Sequence, residues 1–419
     1  MIFKKYSAYI VAFCATIVRY YDYALFGLSA SVISKAFMPE ASDSDQILGF
    51  FAVFSIAVLA RPLGSILFGK IGDKIGRVIS VKIATVIATV STSLIAIIPS
   101  FDSVGWFAVI FLTLCRMLFM MSLAGEIDAI KIYVAEKVSK KRRHFTAGIV
   151  SSSSQVGVLL ASMMHHLAIS VEEVQWLWKM NFVFGGAIGL LVVMMWGYLQ
   201  ESKAFLHSKS KSEDNLNASI IKIIGNNKLK FFLAIIVNGV LGGGYHFLII
   251  FLGTFAANVA NIIPQQQATL GNIGIIALYG LACLLSGYMA DKVKMIMQTT
   301  IALTCSIICV LIMEFMLEMN VFIKSLHYML AFIAPFYTIP CAIKVQSLFS
   351  TTIRMRMFSL SHSLGSVIFS STTPFICMLL WKSTGLFFVV LTYFLLQLGM
   401  LLFALISIAN KDYINMFEI

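Results

Sequence analysis

Arg19, Asp22, Arg61 and Arg116 stand well inside long apolar stretches of this 419-residue chain. Holding a charge at the centre of a bilayer costs about 2.5–3.5 kcal/mol on insertion scales. Such residues therefore imply a watery cavity or a partner of opposite sign. A guanidinium fork matches a carboxylate, so Arg116 and Arg19 are expected to attract an acidic group of a solute. Asp22 follows Arg19 by one helical turn, where it can balance that charge and carry a proton. Arg61 falls at a similar depth and is read both as a site residue and as a contact between the second and eleventh helices. Tyr20, Tyr21 and Trp176 offer π-faces to an ammonium group. His246, in the seventh apolar run, is a candidate proton carrier, although a lone membrane histidine more often packs through hydrogen bonds. The chain has no nucleophile–base arrangement, nucleotide motif or metal-ligand cluster, so no catalysis, cofactor or metal is expected.

A second pattern is punctuation. Gly69-Lys70-Ile71-Gly72-Asp73-Lys74-Ile75-Gly76-Arg77 follows the second apolar run, and Gly287-Tyr288-Met289-Ala290-Asp291-Lys292 follows the eighth. The recurrence at matching places points to a two-fold-repeated membrane carrier. It is not a phosphate loop, because Gly-x-x-x-x-Gly-Lys-Ser/Thr and its strand-to-helix setting are missing. The glycines permit a tight turn and close helix approach, and Asp73 can meet the partial positive charge of a helix N-terminus. Arg77 is expected to reach Glu126 or Asp128 at the end of the fourth helix. Gly69, Gly72, Asp73, Lys74, Gly76, Arg77, Glu126, Asp128 and Asp291 together form a predicted cytoplasmic gate.

These residues must be held by membrane helices. The chain is 59% hydrophobic and 12% charged, too apolar to stay soluble. A bilayer core needs about 20 apolar residues per helix, and twelve such runs occur, the fourth over about 104–125 and the eleventh over about 357–380. The runs do not alternate in ten-residue pieces, which excludes a β-barrel. The fold class predicted is an all-α membrane protein: twelve transmembrane helices in two pseudo-symmetric six-helix bundles. Residues 1–205 form the first bundle, 206–229 a polar linker and 230–419 the second bundle.

The net charge of +12 follows the topology rather than calling for a nucleic-acid partner. With both termini cytoplasmic, most of the 31 Lys and Arg fall on that side, and Lys35, Lys179, Lys324 and Lys382 fall on the other, in keeping with the positive-inside bias. Lys4-Lys5 opens a retained first helix rather than a signal peptide, since its apolar run is long and holds Arg19 and Asp22. The seven cysteines lie in apolar runs without CxxC spacing and read as buried packing residues. Gly242-Gly243-Gly244 marks a place in the seventh helix where carriers often bend. Ser151–Ser154 read as packing residues.

The stretch Ala60-Arg61-Pro62-Leu63-Gly64 through Gly76-Arg77 resembles the major facilitator superfamily, and within it the metabolite:proton symporters. Tyr20-Tyr21-Asp22 with Gly27, Arg116 with Gly125-Glu126, Val134-Ala135-Glu136, Trp176 to Phe182, Glu201 to Phe205 and Leu348 to Arg354 extend the likeness over most of 15–380. The resemblance implies a secondary transporter, nearest the proline/betaine branch. Departures fall at Arg19, where the family is acidic, at Phe119-Met120 in place of Gln-Gly, and at Ser347 and Ser350. The expectation is proton symport of a small zwitterionic or carboxylated metabolite by a monomer in a bacterial inner membrane. The alternatives are an exporter or uncoupled carrier of another solute, and a non-transporting membrane sensor.

Overall fold

The computed structural model describes residues 2–38, 42–170, 177–195, 201, 220–260, 263–318 and 324–415. Trp176 and linker residues 206–219 lie outside the described residues. Twelve helices long and apolar enough to cross a membrane follow one another: α1 (Ile10–Leu28), α2 (Ser44–Lys74), α3 (Arg77–Ala96), α4 (Trp106–Lys137), α5 (Arg143–Ser170), α6 (Leu177–Met194), α7 (Lys228–Asn258), α8 (Gln265–Ala290), α9 (Met295–Met316), α10 (Lys324–Ser347), α11 (Arg354–Thr384) and α12 (Phe387–Ile408). No strand occurs among the described residues. Large apolar side chains such as Leu63, Phe107 and Phe403 remain exposed on the outer faces, as a lipid-facing surface requires.

The packing repeats with a shift of six helices. Within the first six, α1 packs on α5 and α3 on α6; within the last six, α7 packs on α11 and α9 on α12. The two halves meet chiefly through α5 against α8 and α2 against α11, which exchange under the same shift. We call the end carrying both Asp-Lys turns the basic end.

Local breaks shape the helices where the halves meet. In α2 the helix interrupts at Leu59–Ala60, and Arg61 starts the second segment with Pro62 beside it; proline tolerates a first turn because its missing N–H would be unpaired there anyway. Pro335 likewise starts the second segment of α10. Two wide π-type turns interrupt the regular ladder, at His246–Phe251 in α7 and at Ser366–Ser370 in α11. Such turns gather at functional positions. The Gly242–Gly244 run lies just before the first of these turns and packs closely: a Cβ on Gly242 would strike Ser370 Oγ and one on Gly243 would strike Gln397 Oε1.

Glycine also sets the crossing of α5 and α8. A Cβ on Gly148 would lie 2.6 Å from the Cys283 carbonyl oxygen, and one on Gly287 would lie 2.5 Å from that of His144. Both obstacles are backbone and cannot swing away. Gly287→Ala is therefore expected to lower the stability of the purified protein in detergent by about 1–3 kcal/mol. Gly399→Ala, where a Cβ meets nothing within 4 Å, should be neutral or stabilising by up to about 1 kcal/mol. Equal melting temperatures for the two variants would contradict this account.

Candidate functional site

A cavity with about 190 Å³ of water-accessible space lies between the halves. Its wall at mid-depth carries Tyr20, Arg61, Gln155, Tyr245, His246 and His362. Lys131 and Arg143 line it toward the basic end. Tyr20 and Tyr23 reach it together because residues three apart share a helix face.

The same geometry turns Arg19 and Asp22 the other way. Arg19 Nε donates to Glu126 Oε2 at 2.7 Å, and Nη1 donates to Asp22 Oδ2 at 3.2 Å. All three side chains are fully buried. Arg116 is buried beside them, its Cζ 4.1 Å from the Phe26 ring centroid and 4.4 Å from that of Phe119. Arg19 thus pairs with two carboxylates inside the first six helices, while the Arg116 guanidinium lies against aromatic rings with no hydrogen-bond partner among the described residues. A carboxylate in such surroundings needs its guanidinium, since a lone buried charge is far costlier than a pair. The expectation that Arg19, Asp22 and Arg116 line the cavity is corrected: none of them, nor Tyr21, lies in its wall. Rise per residue gives depth along a helix but not the direction a side chain takes. Tyr21 points into the first six helices as well, its hydroxyl donating to the Asn181 carbonyl at 2.9 Å.

The gate network differs from its expected pairing. Arg77 does not meet Glu126 or Asp128: its Nη1 donates to Asp73 Oδ1 at 2.8 Å, and its Nη2 donates to the Thr351 carbonyl at 3.1 Å and approaches Glu136 Oε1 at 3.7 Å. The reason is the length of α4. Its helix runs 32 residues to Lys137, so Glu126 lies roughly 16 Å inside the basic end, level with Arg19.

Asp73 does sit at a helix N-terminus, that of α11. Its Oδ2 accepts from the Arg356 backbone N–H and from Arg356 Nε, both at 3.1 Å. Asp291 does the same for α5, accepting from the N–H groups of His144 at 3.1 Å and Phe145 at 3.0 Å. Each half therefore caps a helix of the other, with the N-terminal partial charge stabilising the carboxylate. Gly69 and Gly72 admit α11 closely, a Cβ on either meeting Arg356 or Met355 at 3.1 Å. Lys74 ends the last turn of α2. Gly76 makes room for Glu201, whose carboxylate accepts from the N–H groups of Arg77 at 3.1 Å and Val78 at 2.8 Å. Partial burial pushes the Glu201 carboxyl up, and these donors pull it back.

Higher in the bundle, Asp128 Oδ1 lies 2.6 Å from His362 Nδ1, and Asp128 Oδ2 accepts from Ser359 Oγ at 3.0 Å. Arg61 Nη2 lies 3.2 Å from His362 Nδ1, and its Nη1 donates to Ser366 Oγ at 3.1 Å. Arg61 thus joins α2 to α11, as one of its two expected readings has it. His246 Nε2 lies 2.6 Å from the Tyr23 hydroxyl and its Nδ1 lies 3.1 Å from Ser370 Oγ. Ser151 and Ser154, read as packing residues, line the cavity. Sequence reasoning overlooked His362, although a lone histidine in the eleventh apolar run is the same signal as His246. It also left Glu201 without a role, because its partners are backbone groups more than a hundred residues away.

A family model described as "Sugar (and other) transporter" matches residues 7–231. The proline/betaine transporter of Escherichia coli (strain K12) is 32% identical over 214 residues, half of this chain and 43% of that protein. The chain thus aligns with less than half the length of that relative. A putative proline/betaine transporter of Staphylococcus aureus (strain MSSA476) is 26% identical over 377 residues, covering 88% of this chain and 80% of that one. Among solved structures, a major facilitator superfamily proton:xylose symporter superposes with a TM-score of 0.75 at 18% identity, over 95% of this chain and 94% of that one. At that identity the likeness shows the fold.

The buried cluster makes a stability prediction that a solute-binding role for Arg19 would not. Arg19→Gln strands Glu126 and Asp22 and should cost about 3–5 kcal/mol in detergent unfolding. Adding Glu126→Gln should recover part of the loss. A single variant as stable as the parent would show that the cluster is not structural.

Proposed function

We propose that this protein, which belongs to the sugar (and other) transporter family of the major facilitator superfamily, carries a small zwitterionic or carboxylated metabolite by proton symport. The observation that carries this reading is the water-accessible cavity between the halves, where a cation and aromatic rings face the same space. Arg61 meets the carboxylate of the solute. Tyr20 and Tyr245 present π-faces to its ammonium group, Tyr245 being oriented by donation to Gln155 Oε1 at 3.2 Å. The names of the relatives as proline/betaine transporters agree with a solute of this kind.

Residues 1–205 and 230–419 are the bodies that rock, with 206–229 joining them, and one chain suffices. The positive-inside bias puts the basic end and both termini in the cytoplasm of a bacterial cell. The Asp73 and Asp291 caps hold that end shut, and solute binding must favour the opened form by more than those contacts favour the closed one.

Reconstituted in liposomes, the protein should accumulate labelled proline or glycine betaine when the outside is acidified, and citrate or α-ketoglutarate serve as acidic comparisons. Tyr20→Ala should raise the half-saturating concentration of a zwitterion roughly thirtyfold, which corresponds to the ~2 kcal/mol of a desolvated cation–π contact, while Tyr20→Phe stays near the parent. If Tyr20→Ala transports like the parent, the aromatic contact is wrong; accumulation indifferent to the pH gradient would exclude symport.

A further inference from the structure

We propose that His362 binds the coupled proton, and that its protonation frees Arg61 to take the carboxylate of the solute. This rests on the carrier reading above and names the residue pair that would link the two cargoes.

The argument is one of donors and acceptors. His362 Nδ1 lies 2.6 Å from Asp128 Oδ1, while Arg61 Nη2 lies 3.2 Å from Nδ1 and 3.5 Å from Nε2. A carboxylate only accepts and a guanidinium only donates. When Nδ1–H of the neutral imidazole donates to Asp128, the bare Nε2, 3.5 Å from Arg61 Nη2, is the one ring acceptor left for the guanidinium, which lies between the two ring nitrogens. A proton on Nε2 turns that acceptor into a donor aimed at another donor, and sets two cations beside one carboxylate. The Arg61–His362 contact and a doubly protonated His362 therefore exclude each other.

Placement makes the exclusion useful. Asp128 is fully buried, whereas the His362 side chain keeps 17% of its surface open, and both His362 and Arg61 line the cavity. Water in the cavity can deliver the proton, and Arg61, once released from His362 and held to α11 through Ser366 Oγ, keeps one face of its guanidinium for the solute. The charged groups acting on His362 are Asp128 and Lys131 of α4 and Arg61 of α2. Across the cavity stand Tyr20 and Tyr23 of α1, His246 and Tyr245 of α7 and Tyr279 of α8, with Arg143 of α5 toward the basic end. Among the described lining residues α10 adds no titratable side chain. Asp128 and Arg61 belong to the first six helices and His362 to the last six, so the switch lies on the surface along which the halves part. If the proton must be present for Arg61 to be free, each cargo raises the affinity for the other by the same factor.

The test uses the full chain in nanodiscs with 15N-labelled histidine and arginine side chains, assigned through His362→Gln and Arg61→Lys. Between about pH 3.5 and pH 8, a range that spans buried as well as exposed imidazoles, the His362 and Arg61 nitrogen signals should move with one midpoint. In His362→Gln, whose amide oxygen accepts from Arg61 at every pH, the Arg61 movement should vanish. An Arg61 signal that stays fixed in the parent, or moves unchanged in His362→Gln, overturns the proposal. In proteoliposomes, acid-driven accumulation of proline or glycine betaine should be lost in His362→Gln and His362→Lys alike. Accumulation retained in both overturns the proposal and leaves the carrier reading standing. If the parent accumulates neither probe, the solute assignment fails, and the nitrogen signals still decide the role of His362.

Discussion

Most of the charges buried among the described residues are answered by a charge of opposite sign, because the apolar surroundings leave no water to do it. Holding a carboxylate or guanidinium alone in low dielectric costs several kcal/mol. The protein meets that demand in three separate places. Arg19, Asp22 and Glu126 pair within one half, where Arg116 lies against the rings of Phe26 and Phe119; Asp128, His362 and Arg61 lie between the halves, and Asp73, Arg77, Glu136, Arg354 and Arg356 join at the basic end. The first of these lies wholly within one half, whereas the other two have members on both sides of the dividing surface.

Backbone groups share the work. Asp73 and Asp291 use the N–H groups at the starts of α11 and α5 as partners, and Glu201 uses those of α3. A helix N-terminus offers several donors and a partial charge in one place, so a single carboxylate can hold a whole helix end. Glycines at 72, 76, 148 and 287 are the geometric counterpart, since a side chain at any of them would occupy the space of a neighbour. The repeated Asp-Lys turn thus supplies, through Asp73 and Asp291, contacts between the halves.

Departures from the family pattern gain physical content. Phe119 replaces a polar residue, and its ring lies 4.4 Å from the Arg116 guanidinium and 5.5 Å from that of Arg19. It offers each cation an aromatic face. Arg19, where the resemblance leads one to expect an acidic residue, takes Glu126 as a partner within the first six helices.

Hydrophobic length and periodicity determined the twelve helices, their division and the place of the repeated turn, because helix formation in a bilayer depends only on local sequence once the backbone must bond to itself. The same local rules found Arg61 and His246, which line the cavity, and Asp73 and Asp291, which join the halves. They misdirected Arg19, Asp22 and Arg116 toward the cavity. Depth along a helix is set by rise per residue, but the neighbour a side chain meets is set by how the helix is rotated in the bundle. That rotation follows from packing among α1, α4, α5 and α6, and so do the Asp128–His362–Arg61 junction and the Glu201 cap, whose members come from distant parts of the chain. Only the tertiary structure decided which charges are locked away and which face the water.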